Sequence, residues 1–321
     1  MQLFLHLALA TFVVAQSEPL AAITPPKGTQ ATNLPALGLG TWYAKGSNAT
    51  AAVAQAIVDG YRLIDTSPFY NNQKEVGAGV REGIKRAGIS RQDVWVTSKL
   101  WTTKHSDPNG GLKETLAELG LDYVDLWLIH WPMGPGNTFD HVPTWQKMEK
   151  LPATKMTRYI GISNFSPAQV KDVLKVATIK PKVMQIELHP YLPQEDFVAS
   201  LQKQGITVNA YAPLGNTNPA YKSSATKLLQ HSTIRSIASA RGCTPAQVVL
   251  AWNMKRSVVV IPKAVQIAHQ KENIATPACA AKLTAEDLEK IAQISNPPHR
   301  FMSSPCASNQ FKCFEGTTKG F

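Results

Sequence analysis

Residues 121–132 read LDYVDLWLIHWP, and this stretch decides the fold. Val124 to Ile129 is apolar but for Asp125 and has the length of a strand rather than a helix. A strand buried on both faces reads as a continuous run instead of an alternation. The run ends on His130, a residue able to do chemistry. The same unit recurs on either side, with apolar runs at 36–40, 61–64, 94–97, 159–162, 183–186, 206–210 and 258–261. Helical spacing fills the gaps: Val76, Val80, Ile84 and Ala87 recur at four, four and three, and stop at Gly88. Leu112, Leu116 and Leu119 recur at four and three. Ser166-Pro167-Ala168-Gln169 and Thr244-Pro245-Ala246-Gln247 each supply a cap residue, Pro at the first helical position and Gln at the third. Eight such runs alternating with helices, with no linker between, predict an α/β fold: a single (β/α)8 TIM barrel. A doubly wound sheet competes, but no G-x-G-x-x-G follows the first run, and Gly38-Leu39-Gly40 alone is weak.

The chain has 321 residues, 44% hydrophobic and 17% charged, which excludes disorder and provides ample core. Its formal net charge of +11 comes with no nucleic-acid-binding motif, so a solvated basic surface is the reading and no nucleic-acid partner is expected. Residues 1–15, MQLFLHLALATFVVA, carry no charged side chain, and small Val13 and Ala15 precede polar Gln16 at the spacing of a cleavage site. This predicts a secretory signal peptide, a secreted or secretory-pathway product, and no membrane attachment after cleavage. Residues 16–33 form an N-terminal extension, 34–301 the barrel and 302–321 an irregular tail. The tail holds Cys306 and Cys313 at a spacing that allows a small disulfide loop, whereas Cys243 and Cys279 in the body are expected to be buried free thiols. No Cys or His spacing suggests a metal.

A barrel builds its active site at the carboxyl ends of its strands. Just past the runs stand Thr41-Trp42, Asp65, Lys99, His130-Trp131, Ser163-Asn164, Glu187, Tyr211 and Lys263, with Gln185 inside the sixth. Singly, each has a bland explanation: a cap, a loop aromatic, a surface charge, a satisfied core histidine. On one face of one barrel they make a coherent set. A phenol such as Tyr70 is a poor acid near neutrality, and an ammonium beside it favours the phenolate. Lys99 would supply that charge, Asp65 its counter-ion, and His130 a second donor to a substrate oxygen. Two donors converging on one oxygen stabilise a carbonyl becoming an alkoxide. No nucleophile accompanies them, so the remaining substituent must come from elsewhere, and hydride from a cofactor is the natural source.

From about Leu34 to Phe301 the chain resembles the aldo-keto reductases, through LGLGTW, DGYRLIDTSPFY, TSKLW, LDYVDLWLIHWP, TWQKMEKL, GISNFSPAQV, QIELHP, AYAPLG and IPKA followed by Glu272-Asn273. The resemblance implies an NAD(P)H-dependent carbonyl reductase on a barrel, with a catalytic tetrad at Asp65, Tyr70, Lys99 and His130. It implies nicotinamide contacts at Ser163, Asn164, Gln185 and Tyr211, further cofactor contacts at Leu214, Lys263, His269, Glu272 and Asn273, and pocket aromatics at Trp42 and Trp131. His130, where relatives that reduce steroid C=C bonds carry Glu, implies carbonyl reduction. The substrate would be an aldehyde, a ketone or an open-chain sugar, acted on by a monomer. The alternative is an inactive barrel kept as an extracellular binding module.

Three departures from the family stand out. Its 2′-phosphate site places Ser and Arg where this chain has Ala264 and His269, so a fixed fork of donors gives way to an imidazole. Lys263 remains, which favours NADPH with NADH possible. Gln73 stands where relatives often carry Glu, and NTNPAYKSS after Gly215 lacks the usual opening of the loop over the pyrophosphate. Asn48-Ala49-Thr50 and Asn164-Phe165-Ser166 are both glycosylation sequons, and folding is expected to hide the second.

Overall fold

A computed structural model of the chain describes residues 34–134, 140–218, 220–221, 225–295 and 297–302. The expected signal peptide, the N-terminal extension and the tail pair Cys306 and Cys313 lie outside the described residues. Eight strands, β1 (Leu39–Gly40), β2 (Leu63–Asp65), β3 (Trp95–Leu100), β4 (Val124–Ile129), β5 (Thr157–Ser163), β6 (Val183–Glu187), β7 (Thr207–Tyr211) and β8 (Val259–Val260), make one sheet in chain order. Every neighbouring pair is parallel. Leu37 bridges to Val260 and Gly40 to Lys263, both in parallel, so the last strand returns to the first and the sheet closes.

Helices follow the strands as connections: α1 (Gly46–Val58), α2 (Gln73–Ala87), α3 (Pro108–Leu119), α4 (His141–Met148), α5 (Pro167–Val176) and α6 (Glu195–Lys203). Both α7 (Ser232–Arg241) and α8 (Pro245–Lys255) lie between β7 and β8, and α9 (Ile267–Ile274), α10 (Thr276–Ala280) and α11 (Ala285–Ala292) come after β8. The local signals act as expected. Gly88 caps α2 at φ 64°, and Ser166 and Thr244 form complete capping boxes with Gln169 and Gln247.

The central run shows why it had to be continuous. Leu126 and Leu128 of β4 pack inside the barrel with Leu63, Trp95, Val183 and Val259. Trp127 and Ile129 point the other way, into the larger core beneath the helices. The first run is shorter as a strand than its sequence suggests. Residues 36–38 instead make single bonds to the closing strand, Gly38 N–H to Val260 O at 2.8 Å and Val260 N–H to Ala36 O at 3.0 Å. A Cβ on Gly38 would fall 2.5 Å from Leu63 Cγ, so only glycine permits that approach.

Cys243 and Cys279 are not free thiols. They form a disulfide with Cα atoms 5.9 Å apart, although 36 residues separate them in sequence. The cause is tertiary: α8, β8 and α9 fold back so that α10 packs against α8, which brings Cys279 to the turn before α8. Sequence spacing carries no trace of this. Asn48 is exposed in the first turn of α1, while Asn164 is 2% exposed, so the second sequon is hidden as expected. Among the described residues no helix is long and apolar enough to cross a membrane.

Candidate active site

Because all strands are parallel, their carboxyl ends share one mouth, and the polar strand-end residues meet there. After β2 the chain turns through Ser67 into a single 3-10 turn, Pro68–Tyr70. Pro68 occupies the first position, where its missing N–H costs nothing, and Ser67 Oγ accepts the Phe69 N–H at 3.3 Å. Asn71 closes the turn at φ 52°, a region Asn tolerates better than most residues. This turn carries Tyr70 back over the strand end.

Lys99 arrives from β3 with its side chain wholly buried. Its ammonium donates to Asp65 Oδ1 at 2.6 Å and Thr66 O at 2.9 Å, and reaches the Tyr70 hydroxyl at 3.2 Å. Three partners match three N–H groups, which is what makes a buried ammonium tolerable. Gln185 Nε2 donates to the other Asp65 oxygen at 2.8 Å. His130 follows β4, with its ring set edge-on to Phe69, Tyr70 and Trp101 and its Nδ1 3.0 Å from Ser67 Oγ.

Burial first, and the Asp65 charge second, push the Tyr70 phenol well above its ordinary value. The sequence suggested that the ammonium would ease the proton off. In the resting site burial wins, and the phenol keeps its proton. Burial lowers the Lys99 ammonium while Asp65 pulls it back up. Burial and then the Lys99 charge hold His130 well below its ordinary value, so its imidazole is neutral near pH 7. The site thus presents two neutral donors beside a buried ion pair.

A cavity of about 770 Å³ runs across the mouth. Every site residue expected from the sequence lines it except Lys99, which lies behind Asp65 and Tyr70: Trp42, Trp131, Ser163, Asn164, Gln185, Tyr211, Leu214, Lys263, His269, Glu272 and Asn273 all take part. The chemistry of the donors suits a nicotinamide dinucleotide. Asn164 Nδ2 donates to His130 O at 3.0 Å, Asn164 Oδ1 accepts from Tyr211 OH at 2.8 Å, and Gln185 is held by Asp65. With its nitrogen engaged by Asp65, Gln185 has its amide oxygen left as a potential acceptor for a carboxamide N–H, and it lines the cavity together with Tyr211, whose ring offers a flat apolar face. At the far end Lys263 and His269 are exposed cations or donors for a phosphate. Ala264 is buried, and its carbonyl accepts from Gln270 Nε2 at 3.0 Å. Among the described residues no three His, Cys, Asp or Glu side chains gather as a metal site requires.

Sequence reasoning missed part of the wall. Tyr43, Phe69, Trp101, Tyr221, Phe301 and Met302 also line the cavity. Phe69 stacks on Trp101 with centroids 4.2 Å apart, and Tyr221 bridges Trp42 and Phe301 at 5.9 and 6.0 Å. Tyr43 and Phe69 adjoin residues already singled out, but Tyr221 and Phe301 sit in long aperiodic loops with no local signal. Glu187 was read only as a strand-end residue. Its buried carboxylate accepts from His189 Nε2 at 3.0 Å, Phe301 N–H at 2.7 Å and Met302 N–H at 2.9 Å, with the Arg300 guanidinium at 3.7 Å. Burial works to raise its pKa, but these donors outweigh it and hold the group below its ordinary value. Gln73 explains its own departure: its oxygen accepts from Ser98 Oγ at 2.6 Å while its nitrogen donates to Glu118 at 2.8 Å, a pairing a second carboxylate could not make.

A closed parallel barrel thus gathers a phenol, an ammonium–carboxylate pair and an imidazole at its mouth. Residues 36–296 match the Aldo/keto reductase family, and the chain belongs to it. It is 38% identical over 282 residues to Aldo-keto reductase family 1 member A1 of Gallus gallus, covering 82% of this chain and 86% of that protein. It is 37% identical over 288 residues to glycerol 2-dehydrogenase (NADP(+)) of Saccharomyces cerevisiae, covering 82% and 88%. The aldose reductase of Schistosoma japonicum superposes with a TM-score of 0.79 at 32% identity, over 88% of this chain and 95% of that one. NAD(P)H-dependent carbonyl reduction is the activity of this family, and the chain is an enzyme of it.

Proposed function

We propose that this enzyme reduces uncharged aldehydes and ketones to alcohols with NADPH, Tyr70 giving the proton. The observation that carries the reading is the convergence of the Tyr70 hydroxyl, bonded to the Lys99–Asp65 pair, and neutral His130 on one cavity that continues to Lys263. Gln185, Asn164, Ser163 and Tyr211 would hold a nicotinamide in that cleft, and in its reduced form it would supply hydride to the carbonyl carbon. Tyr70 and His130 receive the oxygen between them, and negative charge grows on that oxygen as hydride arrives. The Tyr70 proton then moves to a far stronger base than any in the resting site, and the alcohol forms. Lys99, 3.2 Å away, stabilises the phenolate left behind, and Asp65 keeps Lys99 in place.

The aromatic wall argues for the substrate class. An open-chain sugar buried against Trp42, Phe69, Trp101 and Trp131 would leave hydroxyls without partners, at a cost of roughly 1–3 kcal/mol each. Aromatic and medium-chain aliphatic aldehydes bury only apolar surface there. NADPH is favoured over NADH by Lys263 at the far end, with His269 a weaker partner than a guanidinium. Titration with NADPH should quench protein fluorescence, and benzaldehyde-type substrates should oxidise the bound cofactor with higher kcat/KM than xylose or glucose. His269→Arg should lower KM for NADPH and leave KM for NADH unchanged. Equal effects on both cofactors would remove the phosphate assignment, and absence of binding and turnover would favour a non-catalytic barrel.

We also propose that the enzyme enters the secretory pathway. A signal-like leader and a disulfide in the body are two separate marks of an oxidising compartment. Native protein should begin at Gln16 and carry a glycan on exposed Asn48. Peptide mapping that finds Met1 intact would overturn this.

A further inference from the structure

Ser67 is fully buried at the site, and its hydroxyl oxygen lies within reach of both the Phe69 N–H and His130 Nδ1. We propose that Ser67 is a positioning residue whose hydroxyl donates to His130 Nδ1 and so keeps the imidazole proton on Nε2, the nitrogen open to the substrate cavity. The proposal rests on His130 acting as donor to the carbonyl oxygen.

A neutral imidazole has one N–H and one bare nitrogen, and heavy-atom positions do not reveal which is which. The partners decide. His130 Nδ1 meets Ser67 Oγ at 3.0 Å, and a hydroxyl can either give or accept. The second contact of Ser67 breaks the tie. Its oxygen already accepts the Phe69 N–H at 3.3 Å, as the cap of the 3-10 turn. If Nδ1–H also donated to that oxygen, Ser67 would accept twice, and its own proton would have no described acceptor. A buried donor left unmet is costly. With the O–H directed at Nδ1, all three groups are satisfied.

Nε2 then carries the hydrogen. No described protein group bonds to it, and the ring lines the cavity. The opposite tautomer would turn a lone pair toward the carbonyl oxygen and replace attraction with repulsion. The ring plane itself is held by the edge contacts to Phe69 and Trp101, so what Ser67 adds is the placement of a proton. A hydroxyl two residues past Asp65 therefore sets the sign of the interaction between His130 and substrate.

Nitrogen NMR on histidine-labelled enzyme tests this directly, with His130 assigned by its loss in His130→Asn. Wild type should show a bare Nδ1 and a protonated Nε2. Ser67→Ala should shift His130 toward a mixture of tautomers and lower kcat/KM for the carbonyl roughly tenfold, the size of one hydrogen bond strengthened in the transition state. Its Kd for NADPH should not change, and Ser67→Thr, which keeps the hydroxyl, should recover both the tautomer and most of the rate. A protonated Nδ1 in wild type overturns the proposal, as does a Ser67→Ala enzyme with unchanged kcat/KM. If the variants do not fold, the wild-type spectrum alone decides. An enzyme with the expected tautomer but no turnover would instead overturn the carbonyl-reductase reading.

Discussion

Tyr70→Phe should lose about a thousandfold in kcat while binding NADPH as tightly as wild type. The size follows from removing a positioned general acid, which contributes ~10²–10⁴. The variant keeps the ring that packs 6.4 Å from Trp42 and 6.1 Å from His130, so the cavity retains its shape. Lys99 loses one of three partners but keeps Asp65 and Thr66. Single-turnover cofactor oxidation and fluorescence titration measure the two quantities separately. A variant that keeps a tenth of the activity would shift the proton to His130 and with it the mechanism.

Removing the Cys243–Cys279 disulfide should lower stability by about 2–4 kcal/mol, the usual range for a closed loop of this kind. The bond spans 36 residues, and inside that loop lie Lys263, His269, Glu272 and Asn273, which line the end of the cleft proposed to take the cofactor's phosphate. Asp65, Tyr70, Lys99 and His130 all lie outside it. Cys243→Ala with Cys279→Ala should therefore lower the urea midpoint and weaken NADPH binding, yet leave kcat at saturating cofactor unchanged. Excess NADPH should restore part of the midpoint, since a ligand that binds only the folded state stabilises it. An unreduced digest without a peptide linking Cys243 to Cys279, or an unchanged midpoint, would count against it.

The barrel was legible because its signals are local and repeated. An apolar run of four to six residues with two buried faces can be only a few things, and eight of them with helices between favour one closed barrel. The cluster at the mouth was legible for the same reason: Asp65, Lys99 and His130 sit at or beside strand ends. What the sequence hid is whatever depends on contacts between distant segments. The partner of Cys243 is settled by how α10 packs on α8. The state of the Tyr70 phenol is settled by burial, which no neighbouring residue in sequence announces. Tyr221 and Phe301 meet at 6.0 Å although their positions are 80 apart in sequence, and no period marks either.

Glu187 grips the chain at residues 301 and 302 through main-chain N–H groups, not through their side chains. Any residue except proline offers the same N–H. Phe301 and Met302 both form part of the cavity wall. Their side chains can therefore be exchanged through mutation while the anchor that presents them stays intact. A substitution at either position would reshape the cavity wall while leaving both main-chain bonds to Glu187 in place.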